Sequence, residues 1–281
     1  MPVPTLGVFD SGLGGLSVLR AVRAQLPPAS ILYFGDNGHI PYGARPLAQV
    51  RSFSFEITRF LVAHGAQLVV VACNTASAAA LASLRQAPEF ANLPFVGMEP
   101  AVKPAAQTTR SGVVGVLATP ATFQGELYAS VVERFAQGVT VLQQVCPGLV
   151  QQIEAGQVDT PETEAMLRGW LAPMLAQGID ALVLGCTHYP FVIPTIERIC
   201  GPGVRVIDPA PAVARQVARV SAALGPAGQP AGLDYFTSGP PAAFAAALDT
   251  LAIERGPITG VAWSGDRIDE LGPAEGALSG R

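Results

Sequence analysis

Cys73 and Cys186 are the residues best suited to chemistry in this chain, because each ends an apolar run and is followed by polar side chains. Leu68-Val69-Val70-Val71-Ala72 leads into Cys73-Asn74-Thr75-Ala76-Ser77, and an alanine-rich helical segment from Ala78 to Leu84 follows. A short apolar run with turn chemistry at its end reads as a buried parallel strand feeding a helix. Cys73 then stands at the carboxyl end of a strand, beside a helix N-terminus, in the crevice where open α/β sheets bind ligands. Unpaired N–H groups there favour a thiolate, so a thiol pKa lowered by one or more units from about 8.5 is expected. Ala181-Leu182-Val183-Leu184-Gly185 leads in the same way into Cys186-Thr187-His188-Tyr189-Pro190, with Ile193, Pro194, Ile196 and Ile199 suggesting the next helix.

Several kinds of chemistry could use such a pair. As small buried hydrophobes, which most free cysteines are, they would leave the matched neighbours Asn74-Thr75 and Thr187-His188 unexplained. A metal site of Cys73, Cys186 and His188 would rest on Cys-x-His, which is not a structural zinc spacing, and a strand end splays alternate side chains. A thiol–disulfide enzyme wants Cys-x-x-Cys, which is absent. A single-cysteine hydrolase leaves one thiol idle. Two thiols flanking one carbon use both: a thiolate removes a proton from one face, a thiol returns one to the other, and the centre inverts. A pKa near the working pH suits that role, and His188 or Asp10 would tune it.

The elements that position these groups follow from the apolar runs. Leu6 to Phe9 is a strand ending in Asp10-Ser11-Gly12-Leu13-Gly14-Gly15, with a helix from about Gly15. The glycines suggest a phosphate cradle, but Ser17 breaks Gly-x-Gly-x-x-Gly and no Gly-Lys-Ser/Thr element exists. Asp10 and Ser11 at a strand end are better explained by site chemistry. Ile31 to Gly35 is a strand ending in Asp36, and His39 lies in the polar loop beyond it. A helix from Leu47 to His64 follows, with His64 as its end residue. Phe95 to Gly97 is a strand, and Glu99 to Pro104 a proline-rich crossing into a second half. There, strands at 113–117 and 139–145 precede Cys146-Pro147, with Glu154 in the helix beyond; Cys146 and Cys200 read as packed. Gly115 to Thr119 weakly echoes Gly7 to Ser11. After Cys186 come a strand at 204–207, a helix at 212–224, a Gly/Pro loop at 225–232, and two strands (233–237, 258–261) flanking an alanine-rich helix. From Ser264 a frayed tail is expected. Strands alternating with helices mean an α/β fold with mostly parallel sheets.

At 281 residues the chain has room for one large domain or two smaller ones. Charged residues are only 14%, against about 25% in an average globular protein, which fits a core-rich enzyme and excludes global disorder. A net charge of −4 and no Lys/Arg cluster argue against a nucleic-acid partner. No apolar run approaches the ~20 residues of a membrane span, and the N-terminus has no basic stretch ahead of an apolar core, so neither membrane nor signal peptide is expected. Four cysteines are too sparse for a disulfide scaffold, which favours a reduced, cytoplasmic protein.

Asp10-Ser11-Gly12-Leu13-Gly14-Gly15, Pro41-Tyr42-Gly43, Cys73-Asn74-Thr75-Ala76 and Gly185-Cys186-Thr187-His188-Tyr189-Pro190 together resemble the glutamate racemases, of the cofactor-independent aspartate/glutamate racemase superfamily. The match is spread from Gly7 to Asp208-Pro209. The resemblance implies two pseudo-symmetric α/β domains with the active site between them, and interconversion of L- and D-glutamate for peptidoglycan biosynthesis and cell shape. It implies that Cys186 acts on the L-enantiomer and Cys73 on the D-enantiomer, assisted by Asp10 and His188. Asp10, Ser11, Pro41, Tyr42, Gly43, Asn74, Thr75, Thr187 and His188 would hold substrate, with Asp36 and Glu154 in weaker support. Two departures discount that support: Asn37-Gly38-His39 replaces the usual Ser/Thr-Ala-Arg, and Gln151 a common proline before the Glu154 turn. The first domain would be residues 1–97 with 210–281, the second 98–209, hinged where the chain crosses. No metal or other cofactor is expected; Lys103, the only lysine, lies in the crossing and not in a site motif, against pyridoxal phosphate. The rivals are a sister racemase for aspartate or another amino acid, and a small-ligand binding protein without chemistry, against which both cysteines argue. A homodimer is left open.

Overall fold

The computed structural model describes residues 4–26, 29–224 and 232–271. Its first part runs β1 (Thr5–Asp10), α1 (Leu16–Gln25), β2 (Ser30–Gly35), α2 (Leu47–Ala63), β3 (Leu68–Val71), α3 (Asn74–Gln86) and β4 (Phe95–Gly97). The middle runs α4 (Val102–Thr108), β5 (Val113–Ala118), α5 (Pro120–Gln124), α6 (Glu126–Phe135), β6 (Thr140–Val145), α7 (Leu149–Glu154), α8 (Pro161–Ala176), β7 (Ala181–Gly185), α9 (Ile193–Cys200) and β8 (Arg205–Ile207). The last part adds α10 (Ala210–Leu224), β9 (Gly232–Thr237), α11 (Pro241–Thr250), β10 (Ile258–Ser264) and β11 (Arg267–Glu270).

Two sheets result, one ordered β11-β10-β9-β2-β1-β3-β4 and the other β6-β5-β7-β8. The first and last parts of the chain share the larger sheet, and the middle builds the smaller. Every neighbouring pair is parallel except β10 with β11. Successive strand residues serve opposite faces. Leu6, Val8, Ile31 and Tyr33 pack against α1, α10 and α11, while Phe9, Leu32, Phe34 and Val69 pack against α2 and α3. In the smaller sheet Leu117 and Leu184 meet α8 and α9, and Val116 and Val183 meet α4 and α6. Burial on both faces explains why these strands read as unbroken apolar runs. Each such side chain contributes roughly 1.5–3 kcal/mol when fully buried, and the loops at the carboxyl ends of the strands are built on these sheets.

Some expectations change. Residues 102–108 form α4 rather than a plain crossing, because Pro104 sits in its first turn, where backbone N–H groups need no helical partner. Residues past Ser264 do not fray at once. The chain turns at Gly265-Asp266, with Gly265 at φ +64°, and β11 pairs antiparallel with β10. Residues 225–231 of the expected Gly/Pro loop and 272–281 of the expected tail lie outside the described residues. Helices α6 and α8 have no counterpart in the sequence reading. Among the described residues no helix is long and apolar enough to cross a membrane.

Candidate active site

The carboxyl ends of β1, β2 and β3 face those of β5, β6 and β7 across a cavity of about 230 Å³. That is smaller than the ~300–1,000 Å³ of clefts for drug-sized ligands and suits a small metabolite. Cys73 enters from the larger sheet and Cys186 from the smaller.

Cys73 caps α3, its sulfur accepting the Ala76 N–H at 3.4 Å, with the Ser11 hydroxyl at 4.0 Å. Burial pushes the Cys73 thiol well above its ordinary value, the Asp10 carboxylate adds to this, and the Ala76 N–H opposes it without prevailing. The expected lowering is therefore corrected: the helix N-terminus is in place, but desolvation outweighs it.

Cys186 has a different neighbour. Its sulfur lies 3.7 Å from His188 Nδ1, and His188 Nε2 lies 2.6 Å from Glu154 Oε1. Burial alone would lower the His188 pKa, but the hydrogen bonds and charges of Cys186 and Glu154 together hold it well above the ordinary imidazole value. Glu154 also accepts the Leu13 N–H at 2.8 Å and the Asn37 Nδ2 at 3.4 Å, both from loops of the larger sheet.

Asp10 is completely buried and stands behind the cavity wall. One oxygen accepts the Gly12 and Gly15 N–H groups at 3.1 and 2.9 Å, and the other accepts the Thr187 hydroxyl at 3.3 Å. A Cβ at Gly14 would come within 2.3 Å of His188 Nδ1, so only glycine lets this loop approach the imidazole. Asn74 lines the cavity, 3% exposed, and neither its amide oxygen nor its nitrogen has a partner. A buried amide left unpaired beside a cavity marks a place for a ligand.

The chain as a whole has relatives. The Asp/Glu/hydantoin racemase family profile matches residues 16–217. The chain belongs to that racemase family. It is 55% identical over 215 residues to the glutamate racemase of Roseiflexus sp. (strain RS-1), covering 76% of this chain and 78% of that protein. The crystal structure of glutamate racemase isoform RacE1 from Bacillus anthracis superposes with a TM-score of 0.82 at 32% identity, covering 91% of this chain and 96% of that one. Escherichia coli glutamate racemase, solved with L-glutamate and the activator UDP-MurNAc-Ala, gives 0.82 at 30% identity, covering 94% and 100%.

Every residue expected to hold substrate reaches the cavity wall except Asp10. Asp36 and Glu154 also stand one layer behind: Glu154 on His188, and Asp36 on Tyr42. Thr119 is a wall residue the sequence reading missed. Its hydroxyl lies 3.0 Å from that of Thr75 and accepts the Thr122 N–H at 3.2 Å, capping α5. The echo of Gly7–Ser11 in Gly115–Thr119 was the signal for it, since Thr119 stands in its half where Ser11 stands in the other. Cys146 is packed as expected but also lines the cavity, and burial pushes its thiol to about 12. His39 stays off the wall, stacked on Phe53 at 4.1 Å, and His64 ends α2 with Nδ1 2.7 Å from the Phe60 carbonyl. Lys103 belongs to a different cavity, 4.8 Å over the Phe135 ring. Among the described residues no cluster of three or more His, Cys, Asp or Glu side chains is arranged to hold a metal.

Proposed function

We propose that this chain interconverts L- and D-glutamate by proton transfer at Cα between two thiols. The observation that carries the reading is that Cys73 and Cys186 open on one small cavity from two different sheets. The relatives named above are glutamate racemases, one of them solved with L-glutamate, which supports glutamate as the substrate.

The surroundings of the two thiols give the reaction a starting state. Burial and Asp10 favour the thiol form of Cys73, while His188, 3.7 Å from the Cys186 sulfur and held by Glu154, is placed to take up the Cys186 proton. Cys186 as thiolate then accepts the Cα proton of L-glutamate. The Cys73 S–H delivers its own proton to the opposite face of the carbanion, and D-glutamate forms. Cys186 is left as thiol and Cys73 as thiolate, and proton exchange with solvent restores the starting state. The unpaired Asn74 amide and the hydroxyls of Ser11, Thr75 and Thr187 hold the ammonium and carboxylate groups. Asp10 keeps the glycine loop and Thr187 in place. The proposal includes a cytoplasmic location, supply of D-glutamate for peptidoglycan, and a division into residues 1–97 with 210–281 and 98–209, which the separate membership of the two sheets supports.

Chiral chromatography of L-glutamate and L-aspartate incubated with the protein, without added cofactor, tests this. Equal amounts of D- and L-glutamate at the end point are expected, because enantiomers have equal free energies. Racemisation of aspartate alone would reassign the substrate, and turnover of neither would overturn the proposal.

A further inference from the structure

Asp36 sits completely buried just past β2, and the groups that hold it come partly from the far end of the chain. One oxygen takes the Tyr42 hydroxyl at 2.6 Å and His39 Nδ1 at 2.9 Å. The other takes the Ser238 hydroxyl at 2.6 Å and Trp263 Nε1 at 2.9 Å. Ser238 directly follows β9 and Trp263 lies on β10, and because β10, β9 and β2 are neighbours in the sheet, their carboxyl ends reach one carboxylate. A carboxylate offers about four lone-pair sites, so these donors leave none for substrate. The Tyr42 hydroxyl proton is committed as well, since burial and Asp36 hold that phenol well above its ordinary pKa. What Tyr42 offers the cavity is the placement of its ring and of Gly43. Gly43 packs so closely on Thr119 that a Cβ there would lie 2.6 Å from the Thr119 Cβ. A small displacement of this turn therefore reaches Thr119 on the opposite wall and, through it, the Thr75 hydroxyl.

We propose that Ser238 and Trp263, acting through Asp36, are positioning residues that set the Tyr42–Gly43 wall of the cavity and thereby the affinity for substrate. The kinetic consequence rests on the glutamate reading above; the structural one does not. Trp263 also packs its ring against His39 and Phe53, at 5.0 and 5.2 Å between centroids. Phenylalanine keeps an aromatic ring there but removes the N–H together with part of the indole's bulk, so Ser238→Ala, which removes only a hydroxyl, is the cleaner arm.

The test uses the full chain carrying Trp263→Phe or Ser238→Ala, each checked for folding by its thermal midpoint, with Ser238→Thr as the conservative rescue. Hydrogen–deuterium exchange should be several-fold faster in the peptide spanning residues 40–45 in both variants and return to the wild-type rate in Ser238→Thr. KM for glutamate should rise roughly 3- to 10-fold, about the net worth of one ordinary hydrogen bond, because the lost bond acts on substrate only through the Tyr42–Gly43 turn, with kcat within about twofold. If Trp263→Phe does not fold, Ser238→Ala decides alone. Wild-type exchange at 40–45 together with wild-type KM in folded variants would overturn the proposal. So would a fall in kcat with KM unchanged, which would put Asp36 in proton transfer. Wild-type protein inactive on glutamate would count against the substrate alone, and the exchange measurement would still decide the positioning role.

Discussion

His188 is favoured in its charged form in a buried place because Cys186 and Glu154 flank it. Folding raises its pKa above the ordinary value of about 6.5. That pairing contributes stability that is fully present below the unfolded pKa and is lost as pH rises through the higher folded-state pKa. Glu154→Gln removes one of the two supports. Its loss of unfolding free energy, measured by urea titration across pH, should be greatest near pH 6 and shrink as pH rises, while kcat falls at least about tenfold. A stability loss independent of pH would mean that Glu154 merely packs. Asn74 makes the opposite case, since its amide is buried on the cavity wall with no partner in the protein. Asn74→Ala should leave the thermal midpoint unchanged or higher, because no hydrogen bond is lost and an unsatisfied group is removed, yet raise KM roughly tenfold or more. A lowered midpoint with unchanged KM would remove Asn74 from substrate binding. The cysteines and their polar followers were legible because a strand end is written in consecutive residues. The grip of Glu154 on His188 was not, since it joins residues 34 positions apart through the packing of α7 against the loop after β7.

At the scale of elements, the strands that end in Cys73 and Cys186 were readable because burial on both faces demands unbroken apolar runs. Elements with mixed patterns were not. Helix α4 was hidden by prolines, although a proline in the first turn costs little. Strand β11 was hidden by its charge, Arg267-Ile268-Asp269-Glu270, which suits an edge strand. The Gly265-Asp266 pair between it and β10 was the readable hairpin signal. Helix α8 carried a start signal as well, for Thr160 accepts the Thr163 N–H at 3.3 Å ahead of Pro161. Thr119 and Thr160 are thus both N-caps, and only one touches the cavity. Thr119→Ala and Thr160→Ala should each cost about 1 kcal/mol of stability in urea unfolding, but only Thr119→Ala, which also strips Thr75 of its partner, should raise KM for glutamate. Equal KM effects would show that the rise follows from general loosening rather than from the Thr75 contact.

Over the whole molecule, the two sheets are joined by bonds among the site's own residues. Leu13 N–H and Asn37 reach Glu154, Ser17 bonds the Thr187 carbonyl, Thr187 bonds Asp10, and Thr75 meets Thr119. The contacts between the sheets therefore run through residues that line or back the cavity, and each sheet presents one sulfur. That division is what inversion requires, because donor and acceptor must stand on opposite faces of Cα. If the sulfurs act this way, the proton delivered in the forward direction comes from a thiol that exchanges with solvent. In D2O, D-glutamate formed early from L-glutamate should carry deuterium at Cα, while the remaining L-glutamate stays largely protiated. A single group that removed and returned the same proton would leave original hydrogen in part of the product. Cys73→Ala and Cys186→Ala should each abolish racemisation in both directions. Serine in either place should be nearly as damaging, since a hydroxyl is far too weak an acid to supply an anion near neutral pH. The decisive comparison is between the two alanine variants, shown to be folded. Substantial turnover by either one would mean that its cysteine is only packed in the wall, and inversion would have to be assigned to another group on that face.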